Sequence, residues 1–411
     1  MKKIISLTLL FTGILLADNA ASNTKSAQRW PWNNKVDINY TLTATTTNAA
    51  PVFRVNFFGL DPEGNEIDLM TLSGDGKSGI IFGAGPKRTT WDAGEDLGTE
   101  IDTAGYKIGV YAEDITDQAT YLVLDLTTYQ MIPSATGPDT SANAPSKYKE
   151  LWFRRIEPGT FIMGANANET YRMTGENEHL VKLTKPYYIG VFEVTEGQYD
   201  RINADGTSSS CLPKLYTSYD LLRGQNLGST WPEKKDYRVD SSSFLGKLRK
   251  KTGSSIIIDL PTEAQWEAAA RWKGTIGNGT NDYYGSGYWN NGVPFNSSTY
   301  LDSLSIIAWY NGNSSNTYHE VGLKAPSAIG TYDMIGNVYE WCMDWNGAYD
   351  TSGIQVDPEG APRPSITYYG YRLFRGGSCV GHPRECRMAY RGWSQTFVNL
   401  ESYGLRLALI P

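Results

Sequence analysis

The chain has 411 residues, of which 40% are hydrophobic and 12% aromatic, with 37 Lys and Arg against 44 Asp and Glu. That length supports two domains, each able to bury its own core, and the 42 Gly and 27 Tyr point to loop-rich packing around aromatics rather than helix bundles. The acidic balance leaves no basic stripe, which argues against nucleic acid or an anionic membrane surface as the main partner.

Residues 1–20 have the layout of an export signal: Lys2 and Lys3, an apolar run, then the small residues Ala17 and Ala20 where a peptidase can cut. The apolar run, residues 4–16, is about 13 residues long against the roughly 20 needed to span a bilayer, and no later stretch approaches that length. The mature protein is therefore expected to be exported, periplasmic or extracellular, without a transmembrane segment. Residues 28–131 read as an all-β sandwich of immunoglobulin or fibronectin type. Short strands are expected at 36–43, 52–58, 106–111 and 121–126, with turn chemistry at Asp61, Pro62, Gly64 and Asn65. Residues 132–147, rich in Pro, Ser, Ala and Thr, read as a linker.

The texture changes in the last segment, residues 148–411. Strands are expected near 157–164 and 187–194. Thr195 with Gln198 has the spacing of a capping box, and Thr262 with Gln265 repeats it at the start of a helix carrying Trp266, Ala269 and Ala270. A third helix is expected over 241–251, ended by Gly253, and the chain from 274 to 305 reads as irregular.

Six words stand in fixed order here: PGTFIMG from Pro158, FEVTEGQY from Phe192, LPTEAQWE from Leu260, GNVYEW from Gly336, RGGS from Arg375 and YGLRLA from Tyr403. In these the segment resembles the formylglycine-generating enzyme family, also called the sulfatase-modifying factor family. The resemblance implies an α+β variant of the C-type-lectin-like fold with much irregular structure. It also implies structural calcium held by Asp333, the carbonyls of Gly336 and Val338, and Glu340. Two carboxylates flanking a Gly-Asn turn suit a hard cation, although four oxygens leave part of calcium's usual shell unassigned, and hydrogen bonds to loop amides are the plain alternative.

The resembled enzymes bind copper through two cysteines five residues apart, shortly after the GGS, and oxidise a substrate cysteine to formylglycine. Here the cysteines after that word, Cys379 and Cys386, are seven apart. Anchored on RGGS, the first copper position falls on Gly381; anchored on residues 389–391, the second falls near Pro383. Members without the copper pair imply instead a Cys342–Cys386 disulfide. Ser378 and Arg391 match residues lining the family's cleft, with a structural salt bridge as the plain reading of Arg391. Ser402 stands where the family has Asn. The three histidines, 179, 319 and 382, are far apart, which weakens the iron-dependent sulfoxide synthase branch with its three-His site.

Two functions stay open. One is a non-catalytic module holding a polypeptide or glycan on a calcium-stabilised scaffold. The other is a copper oxidase acting on a cysteine of a polypeptide through Cys379 and Cys386.

Overall fold

A computed structural model describes residues 20–28, 34–44, 51–74, 76–98, 105–169, 171–225, 230–232, 237–253, 257–271, 298–363 and 370–410. The expected export signal therefore lies outside the described residues, apart from Ala20. The chain divides into two compact units at Ala119 and Thr120.

The first unit holds two antiparallel sheets. One runs Ala21–Gln28, Lys35–Leu42, Gly85–Asp92, Leu72–Ser73 in spatial order. The other centres on Val52–Leu60, paired with Lys107–Asp114 and with Gly79–Phe82 and Glu66–Ile67. Alternation decides what is buried: along Lys35–Leu42 the residues Val36, Ile38, Tyr40 and Leu42 point inward while those between face outward. They join Trp91 and, from the second sheet, Phe53, Val55, Ile81, Val110 and Ala112 in one apolar cluster.

The strand expected at 121–126 belongs elsewhere. Tyr121–Asp125 sits in the second unit, in a six-stranded antiparallel sheet ordered Met131–Ser134, Tyr121–Asp125, Glu150–Ile156, Tyr187–Gly190, Ala408–Ile410, Ile257–Asp259. Leu122, Val123 and Leu124 are all buried, the pattern of a strand covered on both faces. The expected linker is corrected as well. Residues 131–134 form an edge strand, Ala144, Ser146 and Lys147 are buried, and Lys147 donates to Glu320 at 2.7 Å while its carbonyl accepts from Thr195 Oγ1 at 2.7 Å. Small side chains let this stretch lie flat on the second unit instead of spanning a gap.

The second unit adds a sheet of Gly159–Met163, His179–Leu183 and Gln355–Val356, and another ordered Gly392–Gln395, Tyr371–Arg375, Tyr339–Trp345, Tyr403–Gly404. Both capping boxes form: Gln198 N donates to Thr195 Oγ1 and Thr195 N to Gln198 Oε1 at the head of Glu196–Ala204. Thr262 and Gln265 exchange the same bonds at the head of Glu263–Arg271. The third helix is Phe244–Thr252, started by Ser243 rather than near 241 and ended at Gly253. Of the stretch expected to be irregular, residues 274–297 lie outside the described residues, and Ser298–Ile307 is a helix.

Candidate functional site

The six words meet because their charged residues pair inside the unit. Glu263 and Glu267, one turn apart on a helix, face Arg375 of the RGGS word, which donates to Glu263 at 2.9 Å and also to Glu267. Arg271 holds the other side of Glu267 at 2.5 Å. Arg387 pairs with Glu176 and Glu169 at 2.8–2.9 Å. These contacts fix the loop 376–391, on which the candidate site residues stand.

Gly377 is required in that loop. Its φ is +80°, and a Cβ there would lie 2.9 Å from the Glu385 carbonyl and 3.0 Å from Cys386 Sγ. Ser378 follows, fully buried, its Oγ without a hydrogen-bond partner among the described residues. Cys379 N donates to Asn337 O at 2.8 Å, and its carbonyl accepts from Ser314 Oγ at 2.6 Å. All four cysteines are buried free thiols, so the disulfide expected between Cys342 and Cys386 is absent. Both sulfurs instead pack into the same hydrophobic cluster. Burial, then the charge of Glu193, pushes the Cys379 thiol up to about 12, while the Tyr318 hydroxyl bonds to it. Burial raises Cys386 further still, with Glu385 and Cys379 adding to the effect.

At Gly381, where the first copper cysteine was aligned, a longer side chain would have to displace the Glu385 carboxylate. A Cβ there would lie 2.8 Å from Glu385 Oε2 and 3.2 Å from Ser378 N and O. The Tyr339 hydroxyl donates to that same carboxylate oxygen and holds it in place. No signal in the spacing of the cysteines could have revealed Glu385.

Arg391 does not present its guanidinium to a ligand. Nε and Nη2 form a bidentate pair with Glu263 at 2.7 and 2.9 Å, Nη1 donates to the carbonyls of Gly175 and Gly347, and the group lies 3.9 Å above the Tyr349 ring. The guanidinium is thus engaged in a structural ion pair with Glu263.

Asp333 and Glu340 do come together, fully buried, near one guanidinium. Glu340 accepts from Arg406 Nε and Nη2 at 2.7–3.1 Å and from Trp266 Nε1 at 2.6 Å, which uses both of its oxygens. Asp333 Oδ2 accepts from Gly322 N at 2.6 Å, and Oδ1 is buried with no partner among the described residues. Burial raises the Asp333 carboxyl to about 6. A third carboxylate escaped notice in the sequence: Glu193 accepts from Asn337 Nδ2 at 2.7 Å and Val338 N at 3.0 Å, and burial, then Asp333, holds its carboxyl well above the usual range. Its signal was an acid inside an otherwise apolar run, Val191 to Val194.

The histidines stay apart in role. His179 packs tilted against Tyr349, His319 stacks on Trp309 at 3.7 Å, and His382 is exposed. Among the described residues no three His, Cys, Asp or Glu side chains converge as metal ligands.

Comparison with known proteins agrees with the six words. The family model described as "Sulfatase-modifying factor enzyme 1-like domain" matches residues 144–410. The serine/threonine-protein kinase Pkn1 of Chlamydia trachomatis serovar L2 is 30% identical over 151 residues, covering 36% of this chain and 20% of the kinase. The chain thus spans about a fifth of that relative's length. The formylglycine-generating enzyme of Streptomyces coelicolor is 29% identical over 304 residues, covering 62% of this chain and 88% of that enzyme. Among solved structures, Treponema denticola variable protein 1 matches with a TM-score of 0.47 at 24% identity, over 64% of this chain and 96% of that one.

Proposed function

Because the chain belongs to the sulfatase-modifying factor family, we propose that it is an exported, non-catalytic member that holds a polypeptide or glycan ligand. In this reading residues 120–410 form a C-type-lectin-like scaffold, preceded by a sandwich of immunoglobulin or fibronectin type. The state of the thiols carries the reading. Copper and oxygen chemistry needs thiolates facing one reachable cavity. Cys379 and Cys386 are buried and held protonated, and Glu385 fills the space beside Gly381. Burial also makes free thiols compatible with export, since sulfurs without access to oxidants are inert. Export itself rests on the layout of residues 1–20. Among the described residues no helix is long and apolar enough to cross a membrane.

Calcium remains part of the proposal, with a changed ligand set. Asp333 fits a cation, because its Oδ1 is buried and unpartnered. Glu340 does not, because Arg406 and Trp266 already use its oxygens. Three buried carboxylates, Glu193, Asp333 and Glu340, act on the guanidinium of Arg406, and Lys147 and Lys324 also act on Asp333, so the group's charge can be balanced further by protons or by a cation. The carbonyls of Gly336 and Val338 would join Asp333 in the shell, with the rest of calcium's usual six to eight oxygens coming from other donors.

One titration series tests both metals. Calcium added to chelator-treated protein is expected to raise the melting temperature, and Asp333→Asn to abolish the rise. Cu(I) is expected to find no stoichiometric site, and a cysteine peptide from a sulfatase to stay unmodified. Uptake of one copper per chain with conversion of the peptide would overturn the non-catalytic reading in favour of the oxidase.

A further inference from the structure

Four segments distant in sequence meet beside Ser378 and Cys379. Thr217 bridges Leu400, and its amide donates to Tyr403 O at 3.1 Å. Tyr339 N donates to Ser402 O at 2.9 Å. Asn337 links the remaining two: its Oδ1 accepts from His319 N at 3.1 Å and its carbonyl accepts from Cys379 N at 2.8 Å. These anchors bring Tyr216, Tyr318, Val380, Leu400 and Glu401 around one patch. Tyr216, Val380 and Leu400 are 49, 44 and 50% exposed, Glu401 is exposed, and Tyr318 is half-buried. The backbone is strained at its edge, with φ of +53° at Tyr216, +57° at Ser315 and +55° at Asn316. Non-glycine residues enter that region at a cost, and such strain collects at ligand-holding sites.

The chemistry of the patch is anionic and aromatic. Glu401 forms no ion pair among the described residues. Tyr318, whose hydroxyl meets the Cys379 thiol, is raised well above the usual phenol range by burial first and then by Cys379, Glu401 and Tyr216. An exposed carboxylate near two phenol rings suits an organic cation, which gains both Coulomb attraction and contact with the negative ring faces. A neutral sugar could donate hydroxyls to that carboxylate but would leave its charge unpaired. The net charge of −7 also favours encounter with basic partners.

We propose that Tyr216, Tyr318 and Glu401 receive a cationic side chain, an Arg or Lys of a polypeptide lying across this face. The proposal rests on the reading of the domain as a binding module and names its ligand class. The full chain is passed over three immobilised decapeptide pools of basic, neutral and acidic composition. Binding to the basic pool is expected, weakened about 5-fold by Glu401→Gln and by Tyr216→Leu, and weakened again by salt. Both residues are exposed, so an unchanged melting curve separates lost recognition from lost folding. Equal binding of neutral and basic pools, or a Glu401→Gln protein that binds like the parent, overturns the cation site. If the neutral or acidic pool is held and Tyr216→Leu releases it, the module reading survives and the cation site falls. If no pool is held, the cation site falls together with the polypeptide-binding reading on which it rests.

Discussion

In the first unit the ion pairs Arg88–Asp37, Arg54–Glu113 and Lys35–Asp92 have side chains 17–59% exposed, and the interior cluster is apolar from Val36 to Ala112. In the second unit Arg375, Arg406 and Arg223 and their carboxylate partners are all at most 2% exposed. The contrast follows from the amount of regular structure. Long alternating strands specify their own packing, because a one-residue slip would turn every apolar side chain outward. Short strands joined by loops carry no such check. A buried charge pair adds little over an apolar pair, but it penalises any arrangement that leaves one charge alone. In the second unit, then, the Arg–Glu pairs determine which loops meet.

Breaking one of those pairs is expected to have the largest effect. Arg375→Met leaves Glu267 with Arg271 alone and Glu263 with Arg391, and should cost about 3–5 kcal/mol in the second unit, read by denaturant unfolding. Hydrogen exchange should speed up in Glu263–Arg271 and stay unchanged in Lys35–Leu42. Adding Glu267→Met to Arg375→Met should recover part of the loss. A double variant that is worse than the single would mean that the pair stabilises outright rather than selecting an arrangement.

The same contrast governs what could be read from the sequence. The capping boxes at Thr195 and Thr262 were legible because three-residue spacing is local chemistry. The burial pattern of Lys35–Leu42 was legible because alternation is local too. The partner of Glu267 was not, since Arg375 lies 108 residues away and nothing near either residue indicates the other. A short apolar run marked residues 121–126 as a strand, but it could not say which sheet the strand would join. For the site, the words named Ser378, and also Asp333 and Glu340, which both lie near the Arg406 guanidinium. They did not reveal that Arg406 claims Glu340, that Arg391 is spent on Glu263, or that Glu385 stands over Gly381.

A smaller effect would come from Asp344, which has no counterpart among the exposed pairs of the first unit. It accepts from Glu263 N at 2.7 Å, and burial followed by the Glu263 charge raises its carboxyl to about 7. A carboxyl whose native pKa exceeds its unfolded value holds its proton more tightly in the folded state. Its contribution is therefore present at about pH 4 and is lost as the pH rises through about 7. Asp344→Asn keeps an acceptor for the amide and removes the titration. The variant should gain stability relative to the parent between about pH 5 and pH 8, measured as the urea midpoint at both values. Parallel pH profiles for the two proteins would mean that Asp344 is already ionised in the fold.

The smallest effect is expected at the surface of the first unit. Arg88 Nη2 lies 2.6 Å from Asp37 Oδ2, but its side chain is 59% exposed, and Asp37 keeps a second donor in Thr90 Oγ1 at 3.0 Å. Water screens the pair, and ordering the long side chain costs entropy, so Arg88→Ala should lose less than about 1 kcal/mol. Salt sharpens the test. At about 1 M the Debye length is near 3 Å, and the difference between parent and variant should vanish, whereas the penalty of Arg375→Met should persist because no counterion reaches Glu267. If the two losses respond to salt alike, the Arg–Glu pairs of the second unit are open to solvent, and apolar packing alone would have to select which of its loops meet.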